Sequence, residues 1–230
     1  MKNLRETFKI VFPLTLPVLA GYMMLGMAYG ILMSDKGFSI VWTFLMSAVV
    51  FAGALQYAAV TLLASTFNPL LAFLLALLVN IRHLFYGISM LDRFKGLKGK
   101  AFMIFGMADE AFSINVANEV PQDVDPSTFY LMTTGLCYLY WQLSCLSGHL
   151  LSVFIPDSIK GFDFVLTALF YVMFLNQWKT KDNRSYLLLG VLTTLIALMI
   201  FGKSQFLLGS MVFIILGLFA LERVKGQSHD

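Results

Sequence analysis

Asn80, Arg82 and His83 lie within four positions of one another, and Asp109 and Glu110 are adjacent. An arginine can grip a carboxylate in two places, a carboxylate can hold an ammonium group, and a histidine or an acid can carry a proton near neutral pH. Together these types suit a small zwitterion, or a proton relay. At helical spacing Asn80, His83 and Gly87 share one face, while Arg82 and Tyr86 lie on an adjoining one. What makes these residues conspicuous is their surroundings, because each sits inside a run of apolar side chains.

Those runs dominate the chain. Of 230 residues 59% are hydrophobic, 22 are Phe and 13 are Met, and only 13% are charged. Soluble domains carry roughly 45–50% apolar and about 25% charged residues. The mean hydropathy of +0.79 points the same way, and it excludes soluble, disordered and fibrous classes. Apolar runs fall at 12–32, 40–64, 69–91, 101–117, 128–154, 162–178, 186–201 and 206–221. A span needs roughly 20 helical residues, and helices are the default because an open sheet leaves its backbone unsatisfied in lipid. The expectation is an all-α polytopic membrane protein with seven to eight membrane-embedded helices. Residues 1–230 would form a single transmembrane domain, multi-pass in the cytoplasmic membrane. The net charge of +3 implies no nucleic-acid partner, because the basic residues cluster in loops and tails: Lys2/Arg5/Lys9, Arg93/Lys95/Lys98/Lys100, Lys179/Lys181/Arg184 and Arg223/Lys225. The basic start followed by an apolar run reads as an uncleaved first segment, since the run continues well past signal-peptide length.

Insertion costs single out two runs. In the third, about a dozen Leu, Ile, Val and Phe at about −0.5 kcal/mol each offset one Arg at about +3 kcal/mol. It can insert as it stands. Either Arg82 snorkels to an interface and His83 is a satisfied interior residue, or the cluster is functional; its mid-run position argues against snorkelling. In the fourth, strongly apolar residues supply about −3 kcal/mol against about +6 for Asp109 and Glu110. That run needs partners, with Arg82 the evident counter-charge, unless it is a short interfacial helix showing both acids to water. Counting from Gly106, Glu110 shares a side with Gly106 and Ser113, and is favoured as the acid facing the pathway.

The other polar positions are less specific. Gln56 follows small residues that include Gly53, and serves packing or substrate contact equally well. Pro17, Gly21, Gly26 and Gly30 make the first run thin and bendable, with packing the safer role for any one glycine. Cys137 and Cys145, eight apart on one helix, are about 12 Å apart and cannot form a disulfide with each other. Tyr138, Gln142, Cys145 and His149 form a polar stripe suited to interhelical hydrogen bonds; two ligands, Cys145 and His149, do not make a metal site. Ser127 is the expected cap of the fifth run, Pro156–Asp163 a turn, and Asn176-Gln177-Trp178 the close of the sixth. No nucleotide-binding, hydrolase or metalloprotease motif occurs, so no cofactor, metal or catalytic residue is expected.

The topology contains a conflict. If every run spans and the N-terminus is cytoplasmic, the basic 92–100 loop falls outside, against the positive-inside tendency. One irregular segment before residue 92 and another between 101 and 178 would remove it. The first and fourth runs are the expected ones, as broken or re-entrant segments in two related halves.

Four stretches resemble the AzlC-type large subunit of two-component branched-chain amino acid exporters: the Pro17/Gly21/Gly26/Gly30 pattern, Phe51 to Tyr57, Asn80-Ile81-Arg82-His83-Leu84-Phe85-Tyr86-Gly87, and Asp109-Glu110-Ala111-Phe112. The resemblance implies a small AzlD-type membrane partner subunit and export of leucine, isoleucine, valine and sometimes methionine; the charged residues add the expectation of secondary transport coupled to protons or another ion. The residues alone leave two other classes open: a membrane-embedded lipid-modifying enzyme, weakened by the lack of a nucleophile or metal set, and a non-transporting assembly subunit.

Overall fold

Asn3 begins the first helix with a reciprocal cap: its Oδ1 accepts from the Glu6 amide at 3.0 Å while its own amide donates to Glu6 Oε2 at 3.1 Å. Helix α1 then runs unbroken over Leu4–Asp35, with Pro13 and Pro17 inside it. The computed structural model describes residues 3–63, 68–154 and 184–227, with a few positions between 167 and 179. All elements among them are helical: α2 Ile40–Val50, α3 Gly53–Leu63, α4 Pro69–Met90, α5 Lys100–Phe105, α6 Asp109–Ala117, α7 Pro126–Leu151, a 3₁₀ turn at Ser152–Phe154, and α8 Arg184–Gln227. Among the described residues, three stretches are long and apolar enough to cross a bilayer: Leu4–Asp35, Pro69–Met90 and Arg184–Gly202.

The spine of the first compact unit, Met1–Leu166, is the parallel pair α1 and α7. Thr15 Oγ1 meets the Tyr140 hydroxyl at 3.1 Å, and nearer the helix ends Ser152 Oγ donates to Ser34 Oγ at 2.7 Å. Glycines make the approach close. A Cβ on Gly26 would lie 2.5 Å from Ser144 Cβ, one on Gly30 would collide with the Cys145 carbonyl, and one on Gly148 with the Met27 backbone. Gly26 and Gly30 lie at this close helix contact, whereas Gly21 faces open space.

The expected break in the first run is corrected. It falls in the second run, at Phe51–Ala52, where Phe51 adopts φ 27. Prolines did not break α1 because each removes one donor, and helices of this kind re-satisfy that loss locally. Helix α2 runs antiparallel to α7, with Thr43 beside His149, Ser47 beside Gln142 and Ala48 beside Tyr138. Helix α3 then turns back along α2: Gln56 Nε2 donates to the Met46 carbonyl at 3.0 Å, and Tyr57 donates to the Leu25 carbonyl at 2.6 Å. The two form a helical hairpin.

A second hairpin enters from the opposite end. Helix α5 follows α7, since a Cβ on Gly99 would meet Leu131 and the Phe102 ring lies 5.8 Å from that of Tyr138. After Gly106 the chain reverses, and α6 runs parallel to α4, with Asp109 beside Arg82, Phe112 stacked on Tyr86 at 4.3 Å and Arg93 donating to the Asn115 carbonyl at 2.6 Å. Both hairpins touch the ring of Tyr138, through Phe51 at 4.9 Å and Phe105 at 6.2 Å. The expected irregularity of the fourth run is thus observed. Val11, Phe94, Val124 and Phe129 share one buried cluster, so the 92–100 loop lies at the same end of this unit as the start of α1.

Helix α7 is capped by Asp125, not by Ser127 as expected. The Asp125 carboxylate accepts from the Thr128 amide (2.8 Å) and hydroxyl (2.7 Å), with Pro126 in the first turn. Ser127 Oγ instead accepts from the Lys98 amide at 3.2 Å. Along α4, Leu70, Phe73, Leu84, Phe85 and Ile88 are all more than 60% exposed, an apolar surface that suits lipid rather than water.

The second unit, Thr167–Asp230, contains α8. Its Gly202, at φ 65 and ψ −179, separates two arms that correspond to the seventh and eighth runs. The arms pack on each other, Leu189 against Gly217 and Phe201 against Phe213. The 156–163 turn, Asn176, Gln177 and most of the sixth run lie outside the described residues.

Candidate functional site

Helix α6 packs on α7, and its first two residues reach α4 and α1 respectively. Asp109 Oδ2 pairs with Arg82 Nη1 of α4 at 2.6 Å, the two side chains being 35% and 31% exposed. Glu110 Oε2 accepts a hydrogen bond from the Tyr22 hydroxyl of α1, also at 2.6 Å. The ion pair falls to Asp109, and Glu110, which helical spacing groups with Gly106 and Ser113, turns to α1 instead. The reason is the break between α5 and α6: Gly106 and Ala108 are non-helical, so helical phase counted from Gly106 does not carry to residue 110.

Around the ion pair, polar capacity is left over. Asn80 Oδ1 and Arg82 Nε are shielded and make no hydrogen bond among the described residues, while the shielded His83 ring and Asp109 carboxylate face the Asn80 backbone and the Tyr86 side chain. His83 lies edge-on to Tyr86, with ring centroids 5.6 Å apart, and Tyr86 stacks on Phe112. Acceptors and donors of both kinds, beside aromatic and aliphatic surface, are what a small molecule with one carboxylate, one ammonium and an apolar side chain would satisfy.

Gln56 is not part of this cluster. Fully buried, its Oε1 accepts from Trp141 Nε1 at 2.9 Å and its Nε2 donates to the Met46 carbonyl. Those bonds lock α3 to α2 and α7. A Cβ on Gly53 would press on the Trp141 ring at 3.1 Å, so Gly53 is a packing position. Trp141 does connect the two regions, because its ring meets Tyr22 edge-on at 5.1 Å. A Cβ on Gly21 would meet nothing within 4 Å.

The sequence places Tyr86 beside Arg82 but does not single out Tyr22, which meets Glu110, or Trp141, which meets Tyr22 and Gln56. Tyr22 and Tyr29 recur at seven-residue spacing beside the glycines of α1, which was the available signal. The polar stripe of α7 ties down α2: Tyr138 donates to the Ala48 carbonyl at 3.0 Å, Ser47 donates to Gln142 Oε1 at 2.6 Å, and His149 Nδ1 meets Thr43 Oγ1 at 2.8 Å. His149 is therefore engaged with α2, and Cys145 is buried and free, as is Cys137.

The AzlC protein family model matches residues 17–155. The branched-chain amino acid transport protein AzlC of Bacillus subtilis is 42% identical over 209 residues, covering 90% of this chain and 82% of that one. An uncharacterized membrane protein of Haemophilus influenzae is 34% identical, covering 90% and 86%. The inner membrane protein YgaZ of Escherichia coli is 26% identical, covering 74% and 72%. No solved structure matches. The chain belongs to the AzlC family and is a membrane protein.

Proposed function

We propose that this AzlC-family chain is the transporting subunit of a two-component exporter of branched-chain amino acids, acting with a small AzlD-type membrane subunit. The observation that carries the reading is the Arg82–Asp109 ion pair, set among unsatisfied polar atoms in otherwise apolar helices. A lone charge at that depth costs several kcal/mol, and a pair that neutralises itself keeps the empty site tolerable. A zwitterion offers the same two charges in reverse. Its carboxylate replaces Asp109 on Arg82, its ammonium replaces Arg82 on Asp109, and the net charge of the site is unchanged. Asn80 and His83 supply further polar contacts, and Tyr86 and Phe112 an apolar wall. The name of the Bacillus subtilis relative supplies the substrate class.

The same reading gives the topology. All residues 1–230 act as one transporter domain with seven or eight embedded segments, of which the α2–α3 and α5–α6 hairpins enter from opposite faces and return. Each follows a crossing helix, α1 or α4, which makes two inverted repeats of helix plus hairpin. The end that gathers Arg5, Lys9, Arg93, Lys95 and Lys98 is cytoplasmic.

Counterflow of labelled leucine in proteoliposomes tests the function. Exchange that unlabelled valine and isoleucine inhibit is expected with the chain and its small subunit together; no exchange would refute the assignment.

A further inference from the structure

The two acids that open α6 are adjacent in sequence yet bound to different helices, and only one of them belongs to the ion pair. Glu110 meets a neutral donor, the Tyr22 hydroxyl, at 2.6 Å. Tyr22 lies near the middle of α1, whose 32 residues span about 48 Å, so this contact is far from either end. The ionisable groups that face Glu110 are Tyr22 of α1, Arg82 and Tyr86 of α4, Asp109 of α6 itself and Cys137 of α7. The single cation there is already joined to Asp109 at 2.6 Å.

Resting on the transport reading above, we propose that Glu110 is the site of the coupling proton and that Tyr22 is its sensor, separate from the substrate site at Arg82 and Asp109. A phenol hydroxyl directed at a carboxylate suits a proton better than a metal ion, which would need several oxygen ligands in place of that donor. Among the described residues no group of three or more His, Cys, Asp and Glu is arranged for a metal. With Glu110 ionised, the bond to Tyr22 is charge-assisted and clamps α6 to α1. A proton arriving from water on one side occupies a Glu110 oxygen and leaves a neutral bond, about half as strong. Its departure to water on the other side restores the clamp.

Helix α6 is built to respond. Its far end is held by Arg93 on the Asn115 carbonyl, while its near end follows the non-helical turn at Gly106–Ala108. Zwitterion binding loosens α6 from α4 by exchanging partners with the ion pair. Protonation loosens α6 from α1. Two ligands therefore act on one nine-residue helix through consecutive side chains, which couples them without a longer route.

The test uses the full chain with its small subunit in proteoliposomes, reading leucine counterflow and accumulation driven by an imposed pH gradient. Glu110→Gln is expected to keep counterflow while losing gradient-driven accumulation about tenfold or more, the ordinary scale of coupling between two sites. Tyr22→Phe should keep counterflow and lose most of the stimulation by the gradient. Arg82→Gln should lose both. Gradient-driven accumulation by Glu110→Gln at the wild-type level would overturn the proton site, as would loss of counterflow equal to that of Arg82→Gln. If Glu110→Gln does not fold, Tyr22→Phe decides, and full wild-type stimulation in that variant overturns the proposal. Wild-type counterflow without any response to pH overturns the proton site alone. Absence of leucine counterflow in the wild type removes the substrate reading, and the proton site with it.

Discussion

Asp109 and Glu110 are consecutive residues whose side chains bind opposite neighbours, Asp109 the Arg82 guanidinium of α4 and Glu110 the Tyr22 hydroxyl of α1, each at 2.6 Å. A helix advances about 100° per residue, so two adjacent acids at the start of α6 necessarily point to different sides. That arrangement makes their roles separable by substitution.

For the ion pair, Arg82→Gln and Asp109→Asn are each expected to cut leucine exchange at least about tenfold, since breaking a half-buried pair among apolar helices leaves a charge uncompensated. The double variant should lose less than the product of the two, because residues in direct contact couple by about 0.5–3 kcal/mol. Expression-matched counterflow measures this, and strict additivity would dissolve the pair.

Glycine substitutions separate packing from solvent-facing positions. Gly30→Val and Gly148→Val place side-chain atoms where the backbone of the facing helix already sits. Loss of monodisperse protein on size-exclusion chromatography is expected for both. Gly21→Ala, with nothing within 4 Å of its new Cβ, should fold as wild type and gain up to about 1 kcal/mol of helix propensity. A collapse of Gly21→Ala would contradict the placement of that face.

Gln56→Leu is expected to lower thermal stability by about 1–3 kcal/mol, the cost of stranding a buried donor, here Trp141 Nε1. Paired with Trp141→Phe, which removes that donor, the loss should be partly restored. Exchange activity, scaled to folded protein, should change little if Gln56 holds α3 in place rather than touching substrate.

Sidedness is open to cysteine labelling after Cys137 and Cys145 are replaced. Single cysteines at Arg5 and Lys95 should react from the same face, and one at Lys36 from the other. Opposite labelling of Arg5 and Lys95 would require α2–α3 to cross the membrane, and would refute the paired hairpins.

The start of α7 carries a pH signature. The Thr128 hydroxyl and amide hold the Asp125 carboxyl below the usual carboxylate range. A depressed carboxyl contributes stability that is full above the ordinary Asp value and is lost as pH falls through the lowered one. Asp125→Ala should therefore cost about 1 kcal/mol at neutral pH, and the difference from wild type should shrink in acid below about pH 4. Thermal melts of both proteins from pH 7 to pH 3 would show it.

Membrane insertion, helical class and the pairing of Arg82 with a nearby acid are determined by the sequence itself. Hydrophobic burial and the cost of a buried charge are properties of residues in a run, and need no knowledge of what folds against what. Gly26 and Gly30 belong to this class too, because small residues at four-residue spacing mark close helix contact wherever the partner lies. Which acid meets Arg82 was a tertiary decision: the turn at Gly106–Ala108 resets the phase of α6, and α4 and α1 then each claim one side. The place of the first hairpin was another. Pro13 and Pro17 look like breakers, yet α1 stays helical through them, each lost donor being re-satisfied locally while α7 packs along the helix. The chain reverses instead at Phe51, where Trp141, Gln56 and Tyr138 hold the two arms together. Contacts between residues far apart in the chain make that choice, and no local pattern encodes them.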